Sequence, residues 1–349
     1  MMRKVKLKTV FCAALTLGFI YYFGILTHLL ESTYNDDFKY PYVGDIQEFI
    51  NQLRNQEKPD VPPITVYNYT FLTDLKRKCF DEDYPQLRLV YVVKSALHHF
   101  EQRKAIRKSW GFERRFSDVP IRTIFMLGTK PNDAELQMKI EEEIAEHGDI
   151  VQVKFIDTYY NNTIKTMMGF KWIMNNCLNS KFFMFVDDDM YISTRSVLRF
   201  LRDPTNYPNE KGNLAETDYE LPEDVRLFSG FVFVSSPHRH LSSKWYVPLS
   251  EYPYHLWPPY VTAGAFILSR EALIDMYYAS MYTEHFRFDD IYLGLVAKKA
   301  GVEPYHCNEF HFYKKPYDKY SYRYVIASHG FDPEELVKVW NEQKFVGYA

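Results

Sequence analysis

Apolar and polar residues follow three different patterns along the chain, and the first is a continuous apolar segment. Residues Thr9–Leu30 contain no formally charged residue and follow a short basic N-terminus. A segment of this length spans a bilayer, and basic residues stay on its cytosolic side. We therefore predict a cytosolic tail over residues 1–8 and one transmembrane signal anchor over residues 9–30. A cleaved signal peptide is the alternative, disfavoured because the stretch is long and no small-x-small site follows Leu30.

The second pattern is polar and interrupted by prolines. Residues 31–85 contain Pro41, Pro59, Pro62 and Pro63 and show no long apolar period. This composition is typical of a linker, so we predict a stem over residues 31–85.

The third pattern, from Leu87 onward, alternates between strand and helix periodicity. Strands are predicted over 87–93, 121–128, 149–155 and 181–186, and helices over 99–111, 134–148 and 163–178. The second half is less regular, with strands over 227–235 and 260–269, helices over 271–281, 291–301 and 333–340, and a loop rich in proline and aromatic residues over 248–259. The alternation predicts an α/β domain with a mainly parallel sheet over residues 86–349.

Composition places the chain among ordinary globular proteins. Of its 349 residues, 46% are hydrophobic and 25% are charged, which excludes a disordered, collagen-like or polytopic membrane protein. The formal net charge of -3 supplies no basic field, so we expect no nucleic-acid partner. The sequence leaves the oligomeric state open.

Cysteines and sequons agree with a lumenal location. Asn68 and Asn161 each begin an N-x-Thr sequon, and we expect both to accept N-glycans. Outside the apolar segment, Cys79, Cys177 and Cys307 allow at most one internal disulfide, and the pairing stays open.

Three consecutive acidic residues after an apolar strand are the strongest sign of chemistry. Asp187, Asp188 and Asp189 follow the run Phe182–Val186. In open α/β sheets, ligands lie beyond the carboxyl ends of the strands, and oxygen ligands suit Mg²⁺, Mn²⁺ or Ca²⁺. The trio therefore predicts a cation site. The alternative is a solvated turn in which one aspartate caps the helix that begins near Ser193.

A second acidic pair, Asp289 and Asp290, precedes the helix predicted over 291–301. By itself this pair is typical of a helix N-terminus, where carboxylates meet the positive end of the dipole. Beside a metal site, the pair can instead provide one ligand and one general base.

Several basic residues are candidates for binding a ligand. Arg103 and Arg107 lie four residues apart on one helical face, just after the first predicted strand, where arginine side chains suit a diphosphate. A solvated basic face is the alternative, and Lys165 allows both interpretations. His329 precedes the C-terminal helix and can return to the crevice.

Aromatic residues make up 17% of the chain. Most belong in a core, but flat rings with a polar group also bind the apolar faces of sugars. Trp257 and Tyr260, in or beside the proline-rich loop, are the candidates for facing a sugar acceptor.

Five sequence motifs occur in the order found in one enzyme family. They are RKAIRKSWG, DTYYNNTIKT, FVDDDMYIS, YVTAGAFILSREAL and FDDIYLG. From about Leu87 to the C-terminus, the chain resembles the β1,3-glycosyltransferases that include galactosyl- and N-acetylglucosaminyltransferases. The motifs WPPYVTAGAFILSREAL, MYTEHFRFDDIYLG and VIASHGFDPEE are most similar to Brainiac-type β1,3-N-acetylglucosaminyltransferases.

The resemblance implies a GT-A fold, a UDP-sugar donor, Mn²⁺ or Mg²⁺, inversion at the anomeric carbon and a single-pass type II location in the Golgi membrane. For the Brainiac type it implies transfer of N-acetylglucosamine from UDP-GlcNAc to the 3-hydroxyl of a β-linked mannose in a glycolipid core. Two alternatives stay open. One is a β1,3-galactosyltransferase that uses UDP-Gal, and the other is a membrane-tethered, Ca²⁺-dependent sugar-binding module.

Residue roles are carried over by motif. The resemblance implies that Asp187–Asp189 form the metal-binding element, with Asp189 as the direct ligand, and that Asp290 is the base, next to Asp289. Because His329 can return to the crevice, we also expect it beside the metal. The residues expected to bind the donor are Arg103, Arg107, Asp157, Lys165, Asp187 and Asp188. The chain departs from the family at Asp289, where relatives carry Glu, and at Ala263-Gly264-Ala265, where many carry Gly-x-Gly.

Overall fold

The computed structural model describes residues 7–39, 44–80, 82–116, 118–208 and 220–349. Within these ranges the helices are α1 (Leu7–Tyr22), α2 (Ile25–His28), α3 (Tyr34–Asp37), α4 (Gln47–Arg54), α5 (Phe100–Arg107), α6 (Ala134–His147), α7 (Asn162–Asn176), α8 (Thr194–Arg202), α9 (Arg270–Ser280), α10 (Asp289–Ala300) and α11 (Pro333–Phe345). The strands are β1 (Phe71–Thr73), β2 (Leu87–Lys94), β3 (Ile121–Thr129), β4 (Ile150–Ile156), β5 (Ser180–Asp187), β6 (Tyr191–Ile192), β7 (Phe228–Phe233), β8 (Tyr260–Ser269), β9 (Pro304–His306), β10 (Phe310–His311) and β11 (Ala327–Ser328).

The chain forms two units. The smaller unit contains the described residues of Met1–Gly44 together with Val234–Pro259. The larger unit contains the described residues of Asp45–Phe233 and Tyr260–Ala349. Because β7 ends at Phe233 and β8 begins at Tyr260, residues 234–259 are an insertion between two strands of the larger unit.

The larger unit is built on a mixed sheet with the order β1-β4-β3-β2-β5-β8-β7-β9. Its central strands β4, β3, β2 and β5 run parallel, whereas β8 is antiparallel to both β5 and β7. Residues Phe182–Val186 of β5 are fully buried, as expected for a parallel strand that is covered on both faces. The prediction of an α/β core with a mainly parallel sheet is confirmed.

A small second sheet brings the C-terminal part of the chain to the end of β5. Strand β11 pairs antiparallel with β6, and Ser328 lies opposite Tyr191. The backbone oxygen of Asp189 also accepts hydrogen bonds from the N–H groups of Gly330 and Phe331, at 3.0 and 2.8 Å. These contacts fix the loop that carries His329 beside the acidic trio.

The N-terminal apolar segment is divided between two helices. Helix α1 ends at Tyr22 and α2 begins at Ile25, with Gly24 between them at a φ angle of 70°. Among the residues that the structure describes, no helix is both long enough and apolar enough to cross a membrane. The predicted membrane-spanning helix over residues 9–30 is therefore not confirmed.

The part of the predicted stem that belongs to the larger unit, from Asp45 onward, is packed against its core. Ile46 and Ile50 are buried, and Arg54 of α4 binds the carboxylates of Glu271 and Asp275 on α9. Strand β1 adds an antiparallel edge to the main sheet by pairing with β4. Residues 45–85 thus differ from the linker that their composition suggests, because one amphipathic helix and one short strand give them contacts with the core.

The cysteine pairing that the sequence leaves open is Cys79 with Cys177. This disulfide joins the end of the predicted stem to the residue that follows α7. Cys307 is a buried free thiol.

Candidate active site

Lys94, at the end of β2, joins the two acidic motifs. Its Nζ atom lies 2.9 Å from Asp187 Oδ1 and 2.9 Å from Asp289 Oδ2, and it donates a hydrogen bond of 2.9 Å to the backbone oxygen of Ala263. Lys94 and Asp187 are opposite each other in the register of β2 and β5. Lys94 and Asp289 are 195 residues apart in the sequence, yet they form an ion pair, and the Lys94 ammonium group is shared with Asp187.

The charges of this cluster depend on each other. Burial lowers the pKa of Lys94, but the adjacent Asp187 and Asp289 carboxylates outweigh this effect and raise the pKa above its ordinary value. Burial raises the pKa of Asp187 to about 6, with the charges of Asp289 and Asp189 adding to the increase and Lys94 opposing it. Lys94 is thus the charged partner that allows several carboxylates to lie close together.

Of the two aspartates that begin α10, Asp290 is the one that keeps contact with solvent. Asp289 is buried and also accepts a hydrogen bond of 3.2 Å from Thr166 Oγ1. Asp290 is half-buried, and its Oδ1 accepts the N–H of Ile291 at 2.8 Å. Burial, followed by the charge of Asp289, raises the pKa of Asp290 to about 7. A carboxylate with this pKa and access to solvent suits a general base at neutral pH.

Asp189 and His329 form a pair on the other side of the cluster. Asp189 Oδ2 lies 3.1 Å from His329 Nε2, and both side chains are partly exposed. The hydrogen bond to Asp189 raises the pKa of His329. A Cβ atom added at Gly264 would lie 3.9 Å from both Asp187 Oδ2 and His329 Cδ2, so the glycine lies beside both side chains.

The donor set at Asp189 fits a cation that is shared with a substrate. Within the described ranges, no group of three or more His, Cys, Asp or Glu side chains has the spacing to hold a metal ion. Asp189 Oδ1, however, is buried without a hydrogen-bond partner, which is unusual for a carboxylate oxygen. Mg²⁺ and Mn²⁺ bind to few protein ligands and complete their shell with water and phosphate oxygens. Asp189 and His329 fit such a partial site.

Asp188 has a structural role in the loop after β2. Its Oδ2 accepts hydrogen bonds from Ser95 Oγ at 2.6 Å and the backbone N–H of Ala96 at 3.3 Å, and it lies 2.9 Å from His99 Nδ1. The hydrogen bond to Asp188 raises the pKa of His99. The alternative in which the trio is a solvated capping turn is wrong, because Ser193 itself caps α8 by accepting the N–H of Ser196.

Arg103 and Arg107 are not placed to bind a diphosphate, which corrects the sequence prediction. Arg103 is fully buried, and its five N–H donors bind Glu143, Ser95 Oγ and the backbone oxygens of residues 96 and 97. Arg107 binds Glu143 and Asp149. These two carboxylates neutralise the arginines. Arg103 thereby holds the loop after β2 against α6, and Arg107 joins α5 to α6 and to Asp149.

Lys165 and Asp157 lie together at the edge of a cavity. Lys165 Nζ is 2.8 Å from Asp157 Oδ1 and donates a hydrogen bond of 2.6 Å to the backbone oxygen of Ser95. The cavity of about 540 Å³ lies beyond the carboxyl ends of β2, β3 and β4, and Asp157, Ala96, Lys130 and residues of α6 line it. Lys165 is paired with Asp157, whereas Asp157 itself lines the cavity.

The two aromatic candidates differ in exposure. Trp257 is buried in the smaller unit with its ring centroid 3.9 Å from that of Tyr252, so it offers no platform for a sugar. Tyr260, in the larger unit, is partly exposed and stacks on Phe233. The proline-rich loop that suggests Trp257 as a sugar-binding residue packs its rings inward.

The two sequons are also placed differently. Asn68 is exposed. Asn161 is half-buried, and its Nδ2 donates a hydrogen bond of 2.7 Å to the backbone oxygen of Ile156. The amide nitrogen that would carry a glycan at Asn161 is thus engaged in the folded chain.

The residues that connect the site lie outside the motifs that predict it. Lys94, Ser95, His99 and Thr166 bind the predicted aspartates, yet none of them belongs to an acidic or metal-ligand motif. The available signal was the position of Lys94, a charged residue that ends an apolar strand next to the strand that ends in Asp187.

Comparisons with known proteins agree on one family. The protein-family model described as Galactosyltransferase matches residues 101–308. Beta-1,3-galactosyltransferase brn from Drosophila melanogaster is 44% identical over 330 residues, which cover 94% of this chain and 93% of that protein. Beta-1,3-galactosyltransferase 1 from Mus musculus is 32% identical over 280 residues, which cover 80% of each chain. The solved structure of the galactosyltransferase LgtC with donor and acceptor sugar analogues is 11% identical, covers 74% of this chain and 100% of that chain, and has a TM-score of 0.33, a similarity too distant to identify a fold.

Proposed function

The chain belongs to the galactosyltransferase family and is a β1,3-glycosyltransferase, and we propose that it transfers a sugar from a UDP-sugar to the 3-hydroxyl of a β-linked acceptor with inversion. The proposal is carried by the convergence of Asp187 and Asp289 on Lys94, which places Asp290 near the end of β5. We propose N-acetylglucosamine as the sugar, a β-mannosyl glycolipid as the acceptor, and a GT-A fold as the family architecture.

The cavity beyond β2, β3 and β4 is the proposed site for the uridine. Ligands of open α/β sheets bind at the carboxyl ends of parallel strands, and Asp157 lines the cavity there. The loop of residues 95–97, fixed by Asp188 and Arg103, connects this cavity to the acidic cluster. Arg103 and Lys165 therefore support the donor site from behind rather than touching the diphosphate.

Asp189 and His329 are the residues that would hold Mn²⁺ or Mg²⁺ together with diphosphate oxygens. Bound there, the cation would neutralise the negative charge of the leaving diphosphate. The partnerless Asp189 Oδ1 supports this assignment. Asp187 is held by Lys94 through Oδ1, so its contribution is through Oδ2, the oxygen that faces Gly264.

Asp290 is the proposed general base. Its raised pKa leaves the carboxylate able to accept a proton from the acceptor 3-hydroxyl near neutral pH. The hydroxyl oxygen then attacks the anomeric carbon from the face opposite to the diphosphate, so an α-linked donor gives a β-linked product. Asp289 is committed to Lys94 and Thr166 and serves to orient this end of α10.

Galactose is the second candidate for the transferred sugar, because the relatives described above are named galactosyltransferases. Gly264 lies next to Asp187, and this chain carries Ala263-Gly264-Ala265 there, where many relatives carry Gly-x-Gly. We further propose a type II location in the Golgi membrane through residues 9–30. A Ca²⁺-dependent sugar-binding module no longer fits, since the family is one of transferases.

One assay tests these assignments. The purified full-length chain with Mn²⁺ is offered UDP-GlcNAc or UDP-Gal with β-mannosyl, β-galactosyl and β-GlcNAc acceptors. The expected product is a β1,3-linked GlcNAc on the β-mannoside, with no turnover after metal chelation. Turnover with UDP-Gal alone would replace the sugar but keep the mechanism, whereas no transfer from either donor would contradict the proposed reaction.

A further inference from the structure

We propose that the chain segment after α1 is locked into the insertion at residues 234–259, and that this insertion rests on the membrane surface and favours acceptors that are anchored in the bilayer. The inference rests on the proposed function, because it needs both the membrane location and the transfer reaction. It concerns the smaller unit, whose residues take no part in the site described above.

The end of α1 contacts the insertion directly. The backbone N–H of Leu241 donates a hydrogen bond of 3.1 Å to the backbone oxygen of Tyr22. Gly24 has a positive φ angle of 70°, and a Cβ atom at this position would lie 2.4 Å from the backbone oxygen of Arg239. Only glycine allows this turn and this close approach. The apolar helix is therefore joined to residues 239–241 without an intervening linker.

A buried ion pair secures the contact. The Arg239 side chain is fully buried, and its Nε lies 2.7 Å from Glu31 Oε1, which is also buried. The same guanidinium donates hydrogen bonds of 2.7 to 3.0 Å to the backbone oxygens of Val247, Tyr252 and Tyr254. One arginine thus holds three points of the insertion against the segment that follows α2.

Backbone pairing continues the contact beyond Glu31. The N–H of Ser32 donates to the backbone oxygen of Pro253 at 2.9 Å, and the N–H of His255 donates to the backbone oxygen of Ser32 at 3.2 Å. The N–H of Lys39 donates to the hydroxyl of Tyr254 at 3.0 Å. A flexible stem would let a domain move freely relative to its anchor, whereas residues 22–39 are fixed along the insertion.

The occupant of the exposed helix surface is a lipid bilayer. Phe11, Leu15, Leu17 and Phe19 of α1 are each 58% to 64% exposed, and no charged residue lies between Thr9 and Leu30. A helix that is apolar on all faces is normally covered by a protein core or by lipid, and over its length the described protein leaves it uncovered.

The neighbouring surface of the insertion has the composition of a membrane interface. Leu241 and Trp245 are 40% and 49% exposed, and Lys244 Nζ lies 6.0 Å from the Trp245 ring centroid. Tyr21 and Tyr22 are exposed at the end of α1. Tyrosine, tryptophan and lysine are the residues that gather where the hydrocarbon core meets the headgroups. The insertion then leads through the chain directly into β8, which carries Gly264 beside Asp187.

The first test compares two acceptors with the same terminal sugar. Full-length protein in phosphatidylcholine vesicles is assayed with an acceptor glycolipid in the same vesicles and with a water-soluble glycoside. For Arg239→Met, the ratio of kcat/KM for glycolipid to kcat/KM for glycoside should fall by about tenfold or more, because the insertion is no longer held to the membrane-bound segment after α1. Arg226→Met removes an arginine that pairs with Asp275 in the larger unit and should leave the ratio unchanged.

The second test leaves the Arg239–Glu31 ion pair intact. Wild-type protein and Trp245→Phe are reconstituted in vesicles whose lipids carry bromine at the upper acyl chain, and the fluorescence difference isolates Trp245. Quenching of this difference signal is expected. Absence of quenching would overturn the proposal. If the protein then elutes as a dimer, a second copy of the chain, and not lipid, covers α1.

The outcomes separate this inference from the proposed function. An unchanged acceptor ratio for Arg239→Met overturns the inference while the transferase assignment stands. If Arg239→Met loses activity on both acceptors, the quenching of Trp245 in the wild-type protein decides whether the insertion rests on the membrane. If the wild-type chain is inactive on the soluble glycoside and on the glycolipid, the proposed function fails first.

Discussion

The charge cluster around Arg103 and the one around Lys94 both border the loop that follows β2, but they differ in what they leave unpaired. Every N–H donor of Arg103 is used by Glu143 and by atoms of residues 95–97. Lys94 binds Asp187 and Asp289, yet an oxygen of the adjacent Asp189 has no partner.

We propose that this difference separates a structural cluster from a functional one. A buried ion pair whose donors are all satisfied fixes a local geometry and offers nothing to a ligand. A cluster in which carboxylates crowd together, with raised pKa values and an unpaired oxygen, fits the binding of an added cation. Substitutions that break each cluster should therefore have different consequences.

The largest effect is expected at Asp290. Asp290→Asn keeps the shape of the side chain but cannot accept a proton, so kcat should fall by about 10²- to 10⁴-fold while affinity for UDP is kept. Steady-state kinetics and calorimetry with UDP measure the two quantities. Asp318→Asn, in an exposed turn whose N–H groups an asparagine can still bind, is the matched control. If most activity survives in Asp290→Asn, Asp290 is not the base.

The next prediction contrasts the two cations directly. Arg103→Met removes one of the two arginines that pair with the buried Glu143. The free energy of unfolding should therefore fall by about 3–5 kcal/mol. Lys94→Met leaves Asp187 and Asp289 together without their shared ammonium, so kcat should fall by about 10²-fold, in addition to a comparable loss of stability. Urea unfolding and kinetics on both variants give the comparison. A Lys94→Met protein with normal kcat would show that the cluster is purely structural.

A smaller effect is expected at the proposed cation site. Asp189→Ala should weaken UDP binding in Mn²⁺ by about tenfold, which corresponds to about 1.4 kcal/mol, because the variant loses the oxygen without a partner. UDP binding in the presence of a chelator should stay the same as in the wild type. Titration calorimetry with and without Mn²⁺ makes the measurement, and an unchanged metal dependence would contradict the assignment of Asp189.

Much of the fold and part of the site follow from sequence patterns, and the particular failures have a common cause. The buried run Phe182–Val186 predicts its strand, and the acidic trio predicts that a site lies at its end, because both signals are local in sequence. The function of Arg103 was misjudged because Glu143 and Asp149, which neutralise the arginines, lie about 40 residues away. Lys94 was missed for the same reason, since its two partners are brought to it by strand register and by α10.

Residues 45–85 show that burial, and not composition alone, determines whether a segment is ordered. Their prolines and polar residues indicate a linker, yet Ile50 is buried and Arg54 reaches two carboxylates of α9. One amphipathic turn with a suitable partner surface is enough to order such a segment. The partner surface is not visible in the segment itself.

The last predicted effect, also about tenfold, is the pH dependence that Asp290 gives to catalysis. Its pKa of about 7 means that the carboxylate is mostly protonated at pH 6 and mostly ionised at pH 8. Because only the ionised form accepts the acceptor proton, kcat should rise with pH by about tenfold across this interval. The same shift acts on stability in the opposite sense. The folded chain binds this proton more tightly than the unfolded chain, so the contribution of Asp290 to stability falls as the pH rises from about 4 to about 7.

The pH profile must be measured at saturating donor and Mn²⁺, so that titration of His329 near the cation site does not dominate kcat. Asp290→Glu should keep a rising limb with a shifted midpoint, because a longer carboxylate at the same position is still withdrawn from water and still faces Asp289. Asp290→Asn should lose this limb in its residual activity. A wild-type profile that is flat between pH 6 and 8 would mean that the proton leaves through another group, and the contrast between the Lys94 and Arg103 clusters would then rest on the cation site alone.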